Sequence, residues 1–370
     1  WPGGRENHYL FDLNRDWAWA TQIETQQRLK VYNKWMPQIH VDFHEQGINN
    51  PYYFAPAAEP FHTVITKWQR DFQIAIGKNH AKYFDEKGWQ YFTKETFDLL
   101  YPSFGDTYPT FMGAIGMTYE QAGSGQAGLG VITNNNIELT LLDRLIHHTT
   151  TGISTVEMAS KNSKKLLEEF EKYFENSNLQ DKSYIVRGDK NRIDNLLSLL
   201  DKHEIQYHNA NEKTVKALDY NTNNTVNLKT SNSDIVIPTN QPKGKMVNVL
   251  FEKETTLEIP FTYDITAWSL PFAYGLQGFS SEQEIGTAGN LNNYEFIKNT
   301  TPTSPYAFVA TWKSVRDAAF LGDLLEEELN VRFSEVDFSI EGESYKKGSL
   351  IILRGENKAI LNFSEVVLFL

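Results

Sequence analysis

The sequence predicts an α/β protein, and three observations carry that prediction. Short segments with period-two alternation are separated by longer segments of helical period. Two of the short segments, 39–43 and 116–120, lead directly into ionisable residues and then glycine. A polar linker at 176–182 interrupts the pattern, after which strand–helix–strand spacing resumes. At 370 residues the chain exceeds one typical core, so two domains are expected, 1–176 and 182–370.

The elements follow in order. Residues 1–20 are glycine-rich, then polar and aromatic. A helix is expected over 21–36, with Ile23, Leu29, Val31 and Tyr32 among Gln, Arg and Lys, ended by Pro37. Ile39–Phe43 alternates as a strand, placing His44 at its C-terminal end. Residues 48–60 form a Pro- and Tyr-rich loop, 62–87 a helix, and 88–112 an irregular stretch. Gly116–Glu120 is a second strand running into a glycine-rich turn. Residues 134–175 read as a helix in two pieces, broken near Thr149–Gly152. Beyond the linker, strands are expected at 183–187, 205–208, 235–238 and 306–311, and helices at 191–200, 246–251 and 318–329. This alternation implies a mostly parallel second sheet.

Composition narrows the function. Hydrophobic residues are 40% and charged residues 22%, the profile of a globular protein. The net charge of −12 argues against a nucleic-acid partner, which needs a basic stripe. No apolar run is long enough for a membrane span. The absence of cysteine excludes disulfides, thiolate metal sites and a cysteine nucleophile. Six of the eight Trp precede residue 90, enough aromatic surface for a large core or a cleft.

Three constellations carry chemistry. His44 at a strand end is placed to bind metal, because such ends open into the ligand crevice of an α/β sheet. Asn14-Arg15 offers a neutral donor beside a planar fork that grips a carboxylate. Glu120, also at a strand end, is positioned as a general base. Each alone reads more readily as structural. Gly123-Ser-Gly125-Gln-Ala-Gly128 matches a dinucleotide fingerprint, but no helix is expected directly after it and no βαβ unit precedes it. It is taken as a turn beside the site. His40 shares a face with His44, but four-residue spacing suits paired ligands on a helix rather than a strand.

In their order, Asp-Leu-Asn14-Arg15, Val-Asp-Phe-His44, Leu-Tyr101 and Met-Thr-Tyr-Glu120 resemble the motif series of the zinc carboxypeptidases, the M14 metallopeptidases. The resemblance covers roughly residues 1–170. It implies a mixed sheet with helices on both faces, a Zn2+ cofactor and a peptide substrate. It implies that Asn14 and Arg15 bind the terminal carboxylate, His44 ligates zinc, and Glu120 activates the zinc-bound water. Tyr101 would close over the substrate and Arg5 would polarise the scissile carbonyl. Asp106 and Tyr108 would shape the side-chain pocket, Asp106 favouring a basic residue or Tyr108 flooring a small one.

One departure stands out. The family's other zinc ligands come from His-x-x-Glu upstream of the Asn-Arg pair, and none of the nine His here begins such a motif. The chain opens at Trp1-Pro2-Gly3-Gly4 without Met and closes on an apolar run, so a longer protein carrying the missing motif is expected. Residues 182–370 resemble a class I glutamine-amidotransferase-like, flavodoxin-like domain, on the 184–208 pattern and the segment Tyr263–Gly275. Without cysteine, that domain cannot run amidotransfer chemistry, and a structural or substrate-gating role is expected. The function expected is a zinc-dependent metallocarboxypeptidase, exported from the cell. The alternatives are a peptide-binding module that has lost zinc and an amidase acting on cell-wall peptides.

Overall fold

The structure, a computed structural model, describes residues 6–257, 259, 262, 265, 267–287, 305–340 and 342–369. Arg5, Tyr263 and Asp264 lie outside the described residues. By contacts the chain divides into Trp1–Arg187 with Leu196–Asn290, and Gly188–Asn195 with Leu291–Leu370.

The first unit begins with helix α1 (Ile23–Trp35), which buries Thr25, Leu29 and Tyr32. It stops as expected before Pro37, with Met36 in the left-handed region at φ 42°. Strand β1 (Ile39–Gln46) follows, then β2 (Tyr52–Tyr53), β3 (Ala58–Phe61) and helix α2 (Lys67–Lys87). A capping box starts α2: the Thr66 hydroxyl takes the Gln69 N–H, and the Gln69 side chain takes the Thr66 N–H. The stretch expected to be irregular holds β4 (Tyr91–Phe92), β5 (Asp98–Leu99) and the short helix α3 (Thr107–Phe111). Strand β6 (Ile115–Ala122) completes a four-stranded mixed sheet in the order β1-β6-β2-β4. No helix follows the Gly123–Gly128 turn; the hairpin β7 (Gly130–Ile132)–β8 (Glu138–Thr140) does.

Helices α4 (Leu141–Lys161) and α5 (Ser163–Tyr173) come next. Their break lies at Asn162, not near Thr149–Gly152. The Thr151 hydroxyl bonds back to the His148 carbonyl at 3.0 Å, and α4 runs on through Gly152. A Cβ on Gly152 would only meet the Phe43 ring at 3.6 Å, so the glycine marks a close pass over β1 rather than a break.

Sheet alternation gives β1 and β6 two unlike faces. Ile39 and Val41 pack with Ile115, Met117 and Tyr119 against Phe72, Ile76 and Phe84 of α2. The even-numbered residues face the other way and build the site described below.

The remaining strands of this unit are β9 (Ser183–Arg187), β10 (His208–Asn209), β11 (Thr214–Asp219), β12 (Asn224–Lys229), β13 (Ile235–Pro238) and β14 (Gln277–Ser281). They form one six-stranded sheet in the order β10-β13-β9-β14-β11-β12. The α/β class holds, but every pairing in this sheet is antiparallel, against the parallel expectation. Helix α6 (Lys190–Lys202) does connect two strands of like direction, β9 and β10. Strand β13 then inserts between them, running opposite. Helix α7 (Gly244–Phe251) buries Met246, Val247, Val249 and Leu250 nearby in sequence, and Trp268 donates its indole N–H to the Val249 carbonyl at 2.8 Å.

In the second unit, β15 (Ala307–Ala310), β16 (Arg332–Phe333) and β17 (Leu350–Leu353) form a three-stranded antiparallel sheet, ordered β15-β17-β16. Leu324 and Leu329 pack with Leu350, Ile352, Phe363 and Val367 as its core. No described helix in either unit is long and apolar enough to cross a membrane.

Candidate functional site

Strands β1 and β6 pair in parallel with Asp42 opposite Thr118 and His44 opposite Glu120. His40, Asp42 and His44 therefore share a face with Gly116, Thr118 and Glu120. β1 extends through Gln46, so His44 sits inside the strand rather than at its end, held in place by its ladder.

Two segments cover this polar face. The first is a 3₁₀ turn over Leu13–Arg15, in which the Asp12 carboxylate accepts the Asn14 N–H at 2.8 Å. The second contains Gly105, whose N–H donates to Asn14 Oδ1 at 2.6 Å. A Cβ at Gly105 would lie 2.1 Å from Asp42 Oδ2 and 3.0 Å from Asn14 Oδ1, so a side chain there would push both of those groups aside. The limit is stricter at Gly116, where a Cβ would lie 1.9 Å from the Asp106 carbonyl of the backbone, so no side chain fits there. Those two close approaches lay the start of α3 flat on β6 and bring Asp106 over Thr118. The Thr118 and Thr107 hydroxyls donate to Asp106 at 2.8 and 3.0 Å. Burial pushes the Asp106 carboxyl up to about 6, against these hydroxyl bonds, with the Asp42 charge adding to the rise.

His44 is the hub. Its Nε2 lies 2.8 Å from Asp42 Oδ2, and its Nδ1 lies 3.7 Å from Glu120 Oε1. Asn14 Nδ2 lies 3.4 Å from the same Nε2. The hydrogen bond to Asp42 holds the imidazole above its ordinary value; partial burial opposes, and the charges of Asp42, Glu120 and Asp106 reinforce. The Arg15 guanidinium stacks on the Phe104 ring at 4.4 Å and contacts the Asn14 carbonyl at 3.3 Å.

Asn14, Arg15, His44, Asp98, Asp106 and Glu120 line one cavity of about 50 Å³, room for a carboxylate or one or two waters. Beyond Asn14 and His44, an open cleft of about 630 Å³ runs past Trp17, Arg28 and Asp42. The arrangement places a cationic fork, an amide and a proton-accepting carboxylate around one small space, beside a cleft wide enough for a peptide.

Five predicted residues thus meet: Asn14, Arg15, His44, Asp106 and Glu120. Tyr101 is buried behind them and does not line the cavity. Its hydroxyl accepts the Trp19 indole N–H at 2.5 Å and reaches the Arg15 carbonyl at 3.5 Å. Tyr108 is fully buried, its hydroxyl 2.9 Å from His203 Nδ1 and its ring against Trp17 and Tyr32. It is part of the core rather than a pocket floor. Asp42, Asp98, Thr118 and Gly105 were missed. Asp42 was within reach, because period-two alternation places it on the face of His44.

Zinc needs at least three protein ligands. Among the described residues no group of three or more His, Asp or Glu side chains could hold a metal ion. His44 Nε2 is already within hydrogen-bond distance of Asp42. The described residues by themselves do not fit a zinc ion.

No protein-family model, no curated protein and no solved structure matches this chain.

Proposed function

We propose that this chain carries the carboxylate-binding and proton-handling part of a zinc-dependent metallocarboxypeptidase site that removes C-terminal residues from peptides. One placement supports the reading: His44 and Glu120 stand in register on adjacent strands and line the same cavity as Asn14 and Arg15. Arg15, with Asn14 Nδ2, would grip the terminal carboxylate as a charge-assisted pair. Glu120 would take a proton from the water that attacks the last peptide carbonyl, and return it to the amine as the C–N bond breaks. The reading requires two further zinc ligands from outside the described residues, with His44 as the ligand that these residues give. An exported location belongs to the same proposal.

A second reading has its own observation. The 2.8 Å Asp42–His44 pair satisfies the imidazole without a metal, which suits a non-catalytic module binding peptide C-termini. One experiment separates the two. The full-length protein is analysed for zinc, then incubated with a peptide bearing a free C-terminal acid and with its amide. The enzyme reading expects stoichiometric zinc and residue release from the acid only. Binding of the acid without hydrolysis in zinc-supplemented buffer supports the second reading. Neither binding nor hydrolysis overturns both.

A further inference from the structure

Gln121 follows Glu120 and, by strand alternation, points to the opposite face of β6. There it helps to line a second cavity, of about 130 Å³. The walls come from the 48–51 loop after β1, Trp89 and Gln90 after α2, the end of β6, and the β7–β8 hairpin. This is smaller than the ~300–1,000 Å³ clefts that hold drug-sized ligands, so it suits a single ring.

The lining decides what kind of ring. The described side chains that line it are uncharged at neutral pH, since burial pulls His147 down to about 4. Five are carboxamides: Asn49, Asn50, Gln90, Gln121 and Asn135. They present both donors and acceptors. Asn49 uses its carbonyl on the Asn134 N–H at 2.8 Å, which leaves its NH2 group. Asn50 uses its NH2 on Gln46 at 3.2 Å, which leaves its carbonyl. At the base, buried Gln121 Oε1 lies 2.8 Å from His147 Nδ1. With that N–H donated to Gln121, Nε2 of the neutral ring is an acceptor. Trp89 supplies a half-buried aromatic surface, its ring 4.4 Å from the His147 ring.

A charged ligand would find no counter-charge here, and burying it unpaired is costly. A purely apolar ligand would cover the Asn49 NH2 group and the Asn50 carbonyl without pairing them. What remains is an uncharged ring with many hydroxyl or amide groups on its edge and an apolar face for the indole. We propose that this cavity binds an uncharged saccharide ring, stacked on Trp89 and hydrogen-bonded by the surrounding carboxamides. The proposal does not depend on the peptidase reading.

The test titrates the full chain with methyl N-acetyl-β-glucosaminide and with methyl β-glucoside, followed by tryptophan fluorescence and by ligand-observed NMR. Glucuronate and glucosamine serve as charged controls. Saturable binding of at least one neutral glycoside is expected, weakened roughly tenfold in Trp89→Ala and in Asn135→Ala, on the scale of one lost stacking or polar contact. Asn135 is exposed on the hairpin, so its replacement leaves the core untouched even if Trp89→Ala fails to fold. The proposal is overturned if neither glycoside saturates, if Asn135→Ala binds like the parent, or if a charged sugar binds more tightly than the neutral ones.

Discussion

Strands β1 and β6 present two faces made from alternate residues of the same paired segments. On one, Ile39, Val41, Met117 and Tyr119 meet α2, and the polar groups there are mutually satisfied: His80 contacts Tyr119 and Ser154 at 2.8 and 2.7 Å, and Tyr119 contacts Thr155 at 2.7 Å. On the other, His44, Asp98, Asp106 and Glu120 crowd around a small space with Arg15 on its wall, and Asp42 lies 2.8 Å from His44. The first face is built to be stable. The second gathers like charges that stability alone would not choose, which is the signature of a site.

Breaking the stable face should have the largest effect. Phe84 is fully buried among Phe54, Tyr52 and Trp89. Phe84→Ala should cost about 3–5 kcal/mol in denaturant unfolding, while any protein that remains folded should keep the affinity for peptide acids proposed above. A smaller and opposite pattern is expected from Gly105→Ala. Its Cβ would press on Asp42 and Asn14, costing about 1–3 kcal/mol but disabling peptide-acid binding at temperatures where the fold survives.

Titration sharpens the contrast further, because His80 and His44 shift in opposite directions. Burial pulls His80 down to about 3. The unfolded chain then binds a proton that the folded one does not, so stability is complete above ~6.5 and falls as pH drops towards 3, by about 1.4 kcal/mol per unit. His44 in metal-free protein is raised by Asp42. Its contribution is complete below ~6.5 and is lost as pH rises through the folded value. Histidine ring resonances followed by NMR should show His80 silent from pH 8 to 5 and His44 titrating above 6.5.

Much of this was legible in the sequence because the signals were local. Pro37 ends α1, period two marks β1 and β6, and the order of the Asn14, His44 and Glu120 motifs anticipates their meeting at one cavity. What was not legible depended on non-local geometry. Thr149–Gly152 looks like a break, but α4 runs on through Gly152, beside the Phe43 ring of β1. The strand–helix–strand pattern after 182 looks parallel, but nothing local signals that β13 inserts between β9 and β10. Tyr108 on the short helix α3 and Asp106 just before it lie two residues apart, yet one is core and the other lines the cavity, a split set by how closely Gly116 lets that helix approach β6.

The most direct test of the proposed reading is Glu120→Gln in the full-length protein with zinc supplied, which keeps the shape of the polar face and removes the carboxylate proposed as its base. Hydrolysis of a peptide acid should fall by ~10²–10⁴-fold, with peptide binding and melting temperature unchanged. Full hydrolysis by the variant would contradict the role given to Glu120.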